Sequence, residues 1–260
     1  MTNAVSALIK NGNTALCLCV RMARTVDVGA IAATAGFDAL YVDMEHSPIT
    51  ADDTSAICMA ASGFGVTPFV RVPQDDIGLA SRLLDGGACG IIFPHVETAM
   101  QAMAVAGACL FPPRGARSAV GSTIHLGFEA LSQKEAGERL DALTMTTVMI
   151  ETEIGVENAD AIAAVDGVDM VMVGTADLSA MMGVPGALDH PKVRQACEQV
   201  AAACQKNGKI FALGGVRNNP DLAAEYAALG ARFIIAGMDA SYFQQAAGAD
   251  VIAIRKALKS

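Results

Sequence analysis

Two carboxylates stand where two apolar runs end. Glu151 closes Thr147-Val-Met-Ile-Glu151, and Asp177 follows Asp169-Met-Val-Met-Val-Gly174 in Gly174-Thr-Ala-Asp-Leu-Ser179. A carboxylate at the end of a buried strand is costly unless a cation accompanies it. Two of them, from neighbouring strands of a barrel, form a hard oxygen-ligand site for a divalent metal. Asp43 and Arg71 end two further runs, and His46 lies just beyond the first of these. Together they offer metal ligands, a fixed positive charge and a base. Each residue also has a plainer reading. Glu151 and Arg71 can form a structural ion pair, Asp177 can be a helix N-cap, and His46 can be a surface loop residue. His95, after Pro94, competes with His46 for the role of base, and Asp85 reads equally as a helix-end residue. His125 and His190 lie in loop-like contexts, and Glu153 falls beyond its strand.

Such residues need a scaffold that brings several strand ends to one face. Eight short apolar runs alternate with alanine-rich helical stretches, the pattern of βαβ units and a parallel sheet. They are Ala15–Val20, Ala39–Asp43, Pro68–Arg71, Gly90–Pro94, Thr147–Glu151, Met170–Gly174, Ile210–Leu213 and Phe233–Gly237. Their β-branched, non-alternating character suits strands buried on both faces. The expectation is one α/β domain over residues 1–260, a (β/α)8 TIM barrel with its chemistry at the strand C-termini. An N-terminal helix over Ala4–Lys10 would cover the opposite end. Residues 97–146 exceed one helix and one turn; they are read as a helix (Thr98–Gly107), an active-site loop (Phe111–Ser122) and a second helix (Leu131–Ala142).

Composition excludes several partners. The formal net charge is −9, with no basic stripe for a nucleic-acid backbone or an anionic membrane. The chain has no Trp and few aromatics, so base-stacking platforms are not expected. The longest charge-free stretches are shorter than the roughly 20 apolar residues of a membrane span, and Met1-Thr-Asn-Ala lacks a signal-peptide start. The seven cysteines include no C-x-x-C and read as buried thiols of a reducing, cytoplasmic compartment. A Schiff-base aldolase needs a lysine inside the barrel; here only Lys209 touches a predicted strand, at its start. That favours a metal over an imine.

Several segments resemble the class II, metal-dependent pyruvate aldolases of the HpcH/HpaI family. They are Gly36-Phe-Asp-Ala-Leu-Tyr-Val-Asp-Met-Glu-His46, Phe69-Val-Arg-Val-Pro73, Leu83-Leu-Asp-Gly-Gly87, Ile150-Glu-Thr-Glu-Ile-Gly-Val-Glu-Asn158, Gly167 through Ser179, and Ala228-Leu-Gly-Ala-Arg-Phe233. The resemblance implies a barrel of the phosphoenolpyruvate/pyruvate type, assembled as a homo-oligomer, often a hexamer with a helix exchanged between paired subunits. It implies Glu151 and Asp177 as ligands of Mg²⁺ or Mn²⁺, with Co²⁺ or Zn²⁺ as further candidates. It implies His46 as the base and Asp85, from the same or a neighbouring subunit, as the acid that raises its basicity. Arg71 would stabilise an enolate, the backbone at Ala176 and Asp177 would hold the carboxylate of a 2-oxo acid, and Leu213 would border the substrate. The implied reaction is reversible cleavage of a 4-hydroxy-2-oxo acid to pyruvate, or a hydroxypyruvate-like 2-oxo acid, and an aldehyde. A hydroxyacyl-CoA lyase of the citrate-lyase type and a non-catalytic 2-oxo-acid-binding barrel are the alternatives; a phosphate-binding isomerase leans only on Gly214-Gly215 and Gly237. The chain departs from the family pattern at Met149, Thr175 and Thr123-Ile-His-Leu-Gly127, which leaves the aldehyde-binding half unassigned.

Overall fold

A computed structural model describes residues 3–217 and 219–259. Eight strands close into a parallel barrel in chain order. They are β1 (Ala15–Val20), β2 (Ala39–Asp43), β3 (Thr67–Arg71), β4 (Gly90–Phe93), β5 (Met145–Ile150), β6 (Met170–Gly174), β7 (Ile210–Gly214) and β8 (Ala231–Met238). The fold is the (β/α)8 barrel that the alternation predicts. β5 begins two residues earlier than its apolar run suggests and stops at Ile150, so Glu151 is the first residue past the strand.

Period-two alternation divides each strand between two cores. Phe69, Ile92, Met145, Met149, Met170, Met172, Ala212 and Phe233 pack inside the barrel. Val148, Ile150, Val171, Val173, Phe211 and Leu213 pack outward against the helices. The interior is plugged by Phe69 and Phe233, edge to face at 5.1 Å between centroids, a favoured aromatic geometry. The plug requires Gly90, where a Cβ would lie 2.4 Å from the Phe69 ring. At the strand-start end the helix Ala4–Lys10, capped by the Asn3 side chain, adds fully buried Val5 to this inner core.

The segment after β4 departs from expectation in one respect. Its helix, Ala99–Cys109, starts at a Thr98/Gln101 capping box, and a second helix runs over Gln133–Leu143 from the Ser132 cap. A helix following a strand returns the chain to the strand-start end. The loop beyond it therefore lies far from the strand C-termini of its own protomer. Arg117 binds Asp85 at 2.7 Å, and the His125 ring meets the Ala88 carbonyl at 3.0 Å, both just before β4 begins. Phe111, Leu126, Ala136 and Leu140 give this segment its own small core. Phe111–Ser122 is thus not a lid over this protomer's barrel mouth.

All seven cysteines are free and buried. The last helix, Asp239–Ala257, contributes no buried residue and exposes Phe243, Val251, Ile252 and Ile254.

Candidate active site

The site begins with a register pair. Asp43 and Arg71 are Cα partners at the ends of β2 and β3, which puts a carboxylate beside a guanidinium on the last rung of the ladder. Arg71 Nε and Nη2 donate to Asp43 Oδ1 and Oδ2 at 3.0 and 2.7 Å, a bidentate, charge-assisted pair. Asp43 is fully buried and Arg71 nearly so. Burial alone would raise the Asp43 carboxyl, but Arg71's hydrogen bonds and charge, the His46 backbone N–H and Arg21 hold it below its ordinary value. The chain then folds tightly over this pair. Backbone N–H groups of Glu45 and His46 donate to Asp43 Oδ1, and Ser47 Oγ donates to the Asp43 carbonyl. His46 is thereby set at the mouth with its side chain about half exposed.

Glu45 is a participant that reading the sequence passed over. Its carboxylate, 11% exposed, lies 3.0 Å from Arg71 Nη1 and 3.3 Å from His95 Nε2. The other ring nitrogen of His95, Nδ1, lies 3.3 Å from Glu151 Oε2, and the His95 backbone N–H donates to the same oxygen at 3.0 Å. His95 makes both contacts from a left-handed backbone, φ 55°, which is uncommon for a residue with a Cβ. It spans two carboxylates. The signal in the sequence was the two-residue spacing of Asp43 and Glu45, which reads as a loop once the strand is taken to end.

Glu151 is 2% exposed. A Cβ on Gly174, at the end of neighbouring β6, would fall 2.5 Å from Glu151 Oε1, so the missing side chain makes room for the carboxylate. Asp177 lies in the first turn of the short helix Thr175–Met181, whose N-cap is Gly174, so it is not the cap. Burial pushes the Glu151 carboxyl up to about 7 against the lowering pull of the His95 backbone N–H, His95 and Arg71, and Asp177 adds to the rise. In metal-free protein the folded state therefore holds a proton that the unfolded chain has released. This stabilisation is full below the ordinary carboxyl pKa and is lost as pH rises through about 7. With chelator present, Tm should fall between about pH 5 and about pH 8, and Glu151→Gln should flatten that slope; parallel slopes would count against it.

His46, Arg71, Glu151, Ala176 and Asp177 line one cavity of about 410 Å³, with Tyr41, Met149, Met172 and Gly214 among its walls. Two expected residues are elsewhere. Leu213 points outward into the helix layer, because alternation turns it away from inward-facing Ala212. Asp85 ends the helix Leu79–Asp85 at the strand-start end, held by Arg117, so one protomer does not bring it to His46. Among the described residues no group of three or more His, Cys, Asp or Glu is arranged around a metal position. The donor chemistry nevertheless suits a hard cation. Two carboxylates from adjacent strand ends border one cavity, and the buried one has no Lys or Arg within ion-pair distance among the described residues.

A family model described as HpcH/HpaI aldolase/citrate lyase matches residues 22–246. A 4-hydroxy-4-methyl-2-oxoglutarate aldolase of Hapsidospora irregularis is 43% identical over 92% of this chain and 90% of its own length. A hydroxypyruvate/pyruvate aldolase of Cupriavidus necator is 36% identical over 84% of this chain and 80% of its own. The crystal structure of an HpcH/HpaI aldolase from Desulfitobacterium hafniense superposes with a TM-score of 0.90 at 28% identity, covering 96% of both chains.

Proposed function

The chain belongs to the HpcH/HpaI aldolase/citrate lyase family, and from that premise we propose how its residues divide the work of a class II aldolase. The reaction is reversible cleavage of a 4-hydroxy-2-oxo acid to pyruvate and a carbonyl compound, a carbon–carbon lyase activity. The single observation that carries the assignment of roles is the shared cavity of Glu151, Asp177, Arg71 and His46 at the strand C-termini.

Glu151 and Asp177 would hold a divalent metal, Mg²⁺ or Mn²⁺ in the first instance. Such an ion supplies Lewis-acid polarisation of the donor's keto group. The backbone at Ala176 and Asp177 borders the cavity and receives the donor carboxylate. Arg71 is fixed on three sides by Asp43 and Glu45. Its charge is therefore in place before the enolate oxygen forms and needs no reorganisation. His46 takes the C3 proton at its ring nitrogen, within reach of solvent and beside Glu45. His95 spans Glu45 and Glu151 and is placed to keep both carboxylates in position.

We extend the proposal to assembly and location. The exposed apolar residues of the helix Asp239–Ala257 support a homo-oligomer joined through that helix, a hexamer in keeping with the family resemblance. A neighbouring subunit is the route by which Asp85 would reach a His46. Seven free, buried cysteines support a reducing, cytoplasmic setting, and no helix of the described residues is long and apolar enough to cross a membrane.

The test is exchange of pyruvate's methyl protons in D₂O, followed by NMR without any acceptor. Exchange should proceed with Mn²⁺ or Mg²⁺, stop with chelator and resume on metal addition. Absence of exchange in metal-loaded protein would overturn the proposal.

A further inference from the structure

The left-handed backbone of His95, φ 55°, is imposed by its neighbours, and such conformations concentrate at functional sites. The His95 N–H donates to Glu151 Oε2 at 3.0 Å, and the next N–H, that of Val96, donates to the Met149 carbonyl at 3.0 Å. This turn aims the ring between two carboxylates. Nδ1 lies 3.3 Å from Glu151 Oε2, and Nε2 lies 3.3 Å from Glu45 Oε1. The other oxygen of Glu45 shows what the second contact does. Glu45 Oε2 is buried and lies 3.0 Å from Arg71 Nη1, yet it has no aligned hydrogen bond among the described residues. Arg71 Nε and Nη2 are engaged by Asp43, so Nη1 is the nitrogen whose donors stay open. A Glu45 carboxylate free to turn would close on Nη1, because charge-assisted pairs are the strong ones. Arg71 and Glu151 line the donor cavity, whereas Glu45 and His95 are not among its lining residues. Both therefore act through the residues that are.

We propose that His95 is a positioning residue with two separable tasks. Through Nδ1 it orients Glu151 for the metal. Through Nε2 it restrains Glu45 from closing on Arg71, which leaves Nη1 for the oxygen of the bound 2-oxo acid. The inference rests on the aldolase assignment and deepens it. An imidazole is rigid, so one ring holds both carboxylates in a fixed relation to each other. Without it, Glu151 keeps only the backbone N–H among these two contacts, and Glu45 keeps Arg71 as its near cation. The first change loosens a metal ligand. The second turns Glu45 into a competitor for the substrate's partner.

The two ring nitrogens can be removed one at a time. Asparagine sets an amide nitrogen near the place of Nδ1, and glutamine sets one near the place of Nε2. Asparagine also tolerates a left-handed backbone, and melting curves check that each variant folds. Mn²⁺ affinity is read by titration calorimetry; methyl-proton exchange of pyruvate at saturating Mn²⁺ gives kcat and KM. His95→Asn should keep Mn²⁺ affinity within about threefold and raise the KM for pyruvate roughly tenfold. His95→Gln should do the reverse, weakening Mn²⁺ roughly tenfold and leaving KM within about threefold once metal saturates. Adding Glu45→Gln to His95→Asn should bring KM back towards wild type, because the competing charge is gone. If glutamine is not accepted at this backbone, His95→Asn and its double variant decide the proposal. Parallel losses in both single variants, wild-type behaviour in both, or no recovery in the double variant would overturn it. Exchange by wild type would leave the aldolase assignment standing in each of those cases. A wild type that binds Mn²⁺ but exchanges no protons would bring down that assignment and this inference with it.

Discussion

Arg71→Lys should lower kcat/KM for cleavage by about 10³-fold, in the range seen when one fixed electrostatic donor is lost. The side-chain charge survives the change, but its geometry does not. The guanidinium meets Asp43 through two nitrogens at 3.0 and 2.7 Å and presents the third towards Glu45 at 3.0 Å. An ammonium is a point charge that cannot span both carboxylates, so it collapses onto Asp43 and leaves Glu45 and the enolate position uncovered. Lysine is a better probe than alanine here. Arg71→Ala would leave Asp43, which is fully buried, with Arg21 as its one cationic partner among the described residues, and breaking a buried ion pair typically costs about 3–5 kcal/mol. That loss would confound activity with unfolding. For Arg71→Lys, Mn²⁺ affinity should stay close to wild type while pyruvate exchange slows with cleavage. Slowed cleavage with undiminished exchange would move Arg71's role from the enolate to the acceptor.

Gly174→Ala tests the other half of the site. The backbone there, φ −85°, is open to alanine, so the substitution introduces no left-handed strain and slightly restricts the unfolded chain. Its new methyl would meet Glu151 at 2.5 Å from Oε1 and 2.6 Å from Cγ. A free carboxylate would swing away cheaply. This one is pinned by the His95 backbone N–H at 3.0 Å and the ring at 3.3 Å. The methyl must therefore push Glu151 off its anchor. Mn²⁺ affinity, read by titration calorimetry or by the free-ion EPR signal, should fall by about 10- to 100-fold, the scale found when supports of a metal ligand are lost. Turnover at saturating metal should recover in part. Unchanged affinity would mean that the orientation of Glu151 does not govern the metal.

The barrel was legible because eight apolar runs recur at βαβ spacing, and closure of the ring brings Asp43, Arg71, Glu151 and Asp177, at or just beyond the run ends, to one rim. What was not legible follows from direction and curvature. Leu213 sits at a strand end as Arg71 does, yet alternation turns it outward. Asp85 and the loop from Phe111 belong to the far end because helices run back against their strands. Glu45 and His95 meet only because the strands β2 and β4 flank β3, and their contacts begin after both strands have ended. Residue type announced Arg71 and His46. Only the closed ring showed that His95 ties Glu45, beside both, to Glu151.

The seven buried thiols have a consequence for observing the molecule at work. Burial pushes their pKa up, to about 11 at Cys89 and Cys197 and about 12 at Cys109 and Cys204. Alkylation needs both access and thiolate, so each cysteine is silent until its surroundings open. They are spread from β1 to the helix Pro191–Asn207, with Cys19 beside the mouth. Intact-protein mass after timed labelling would therefore record which sector of the ring loosens first and whether the rest follows as one unit.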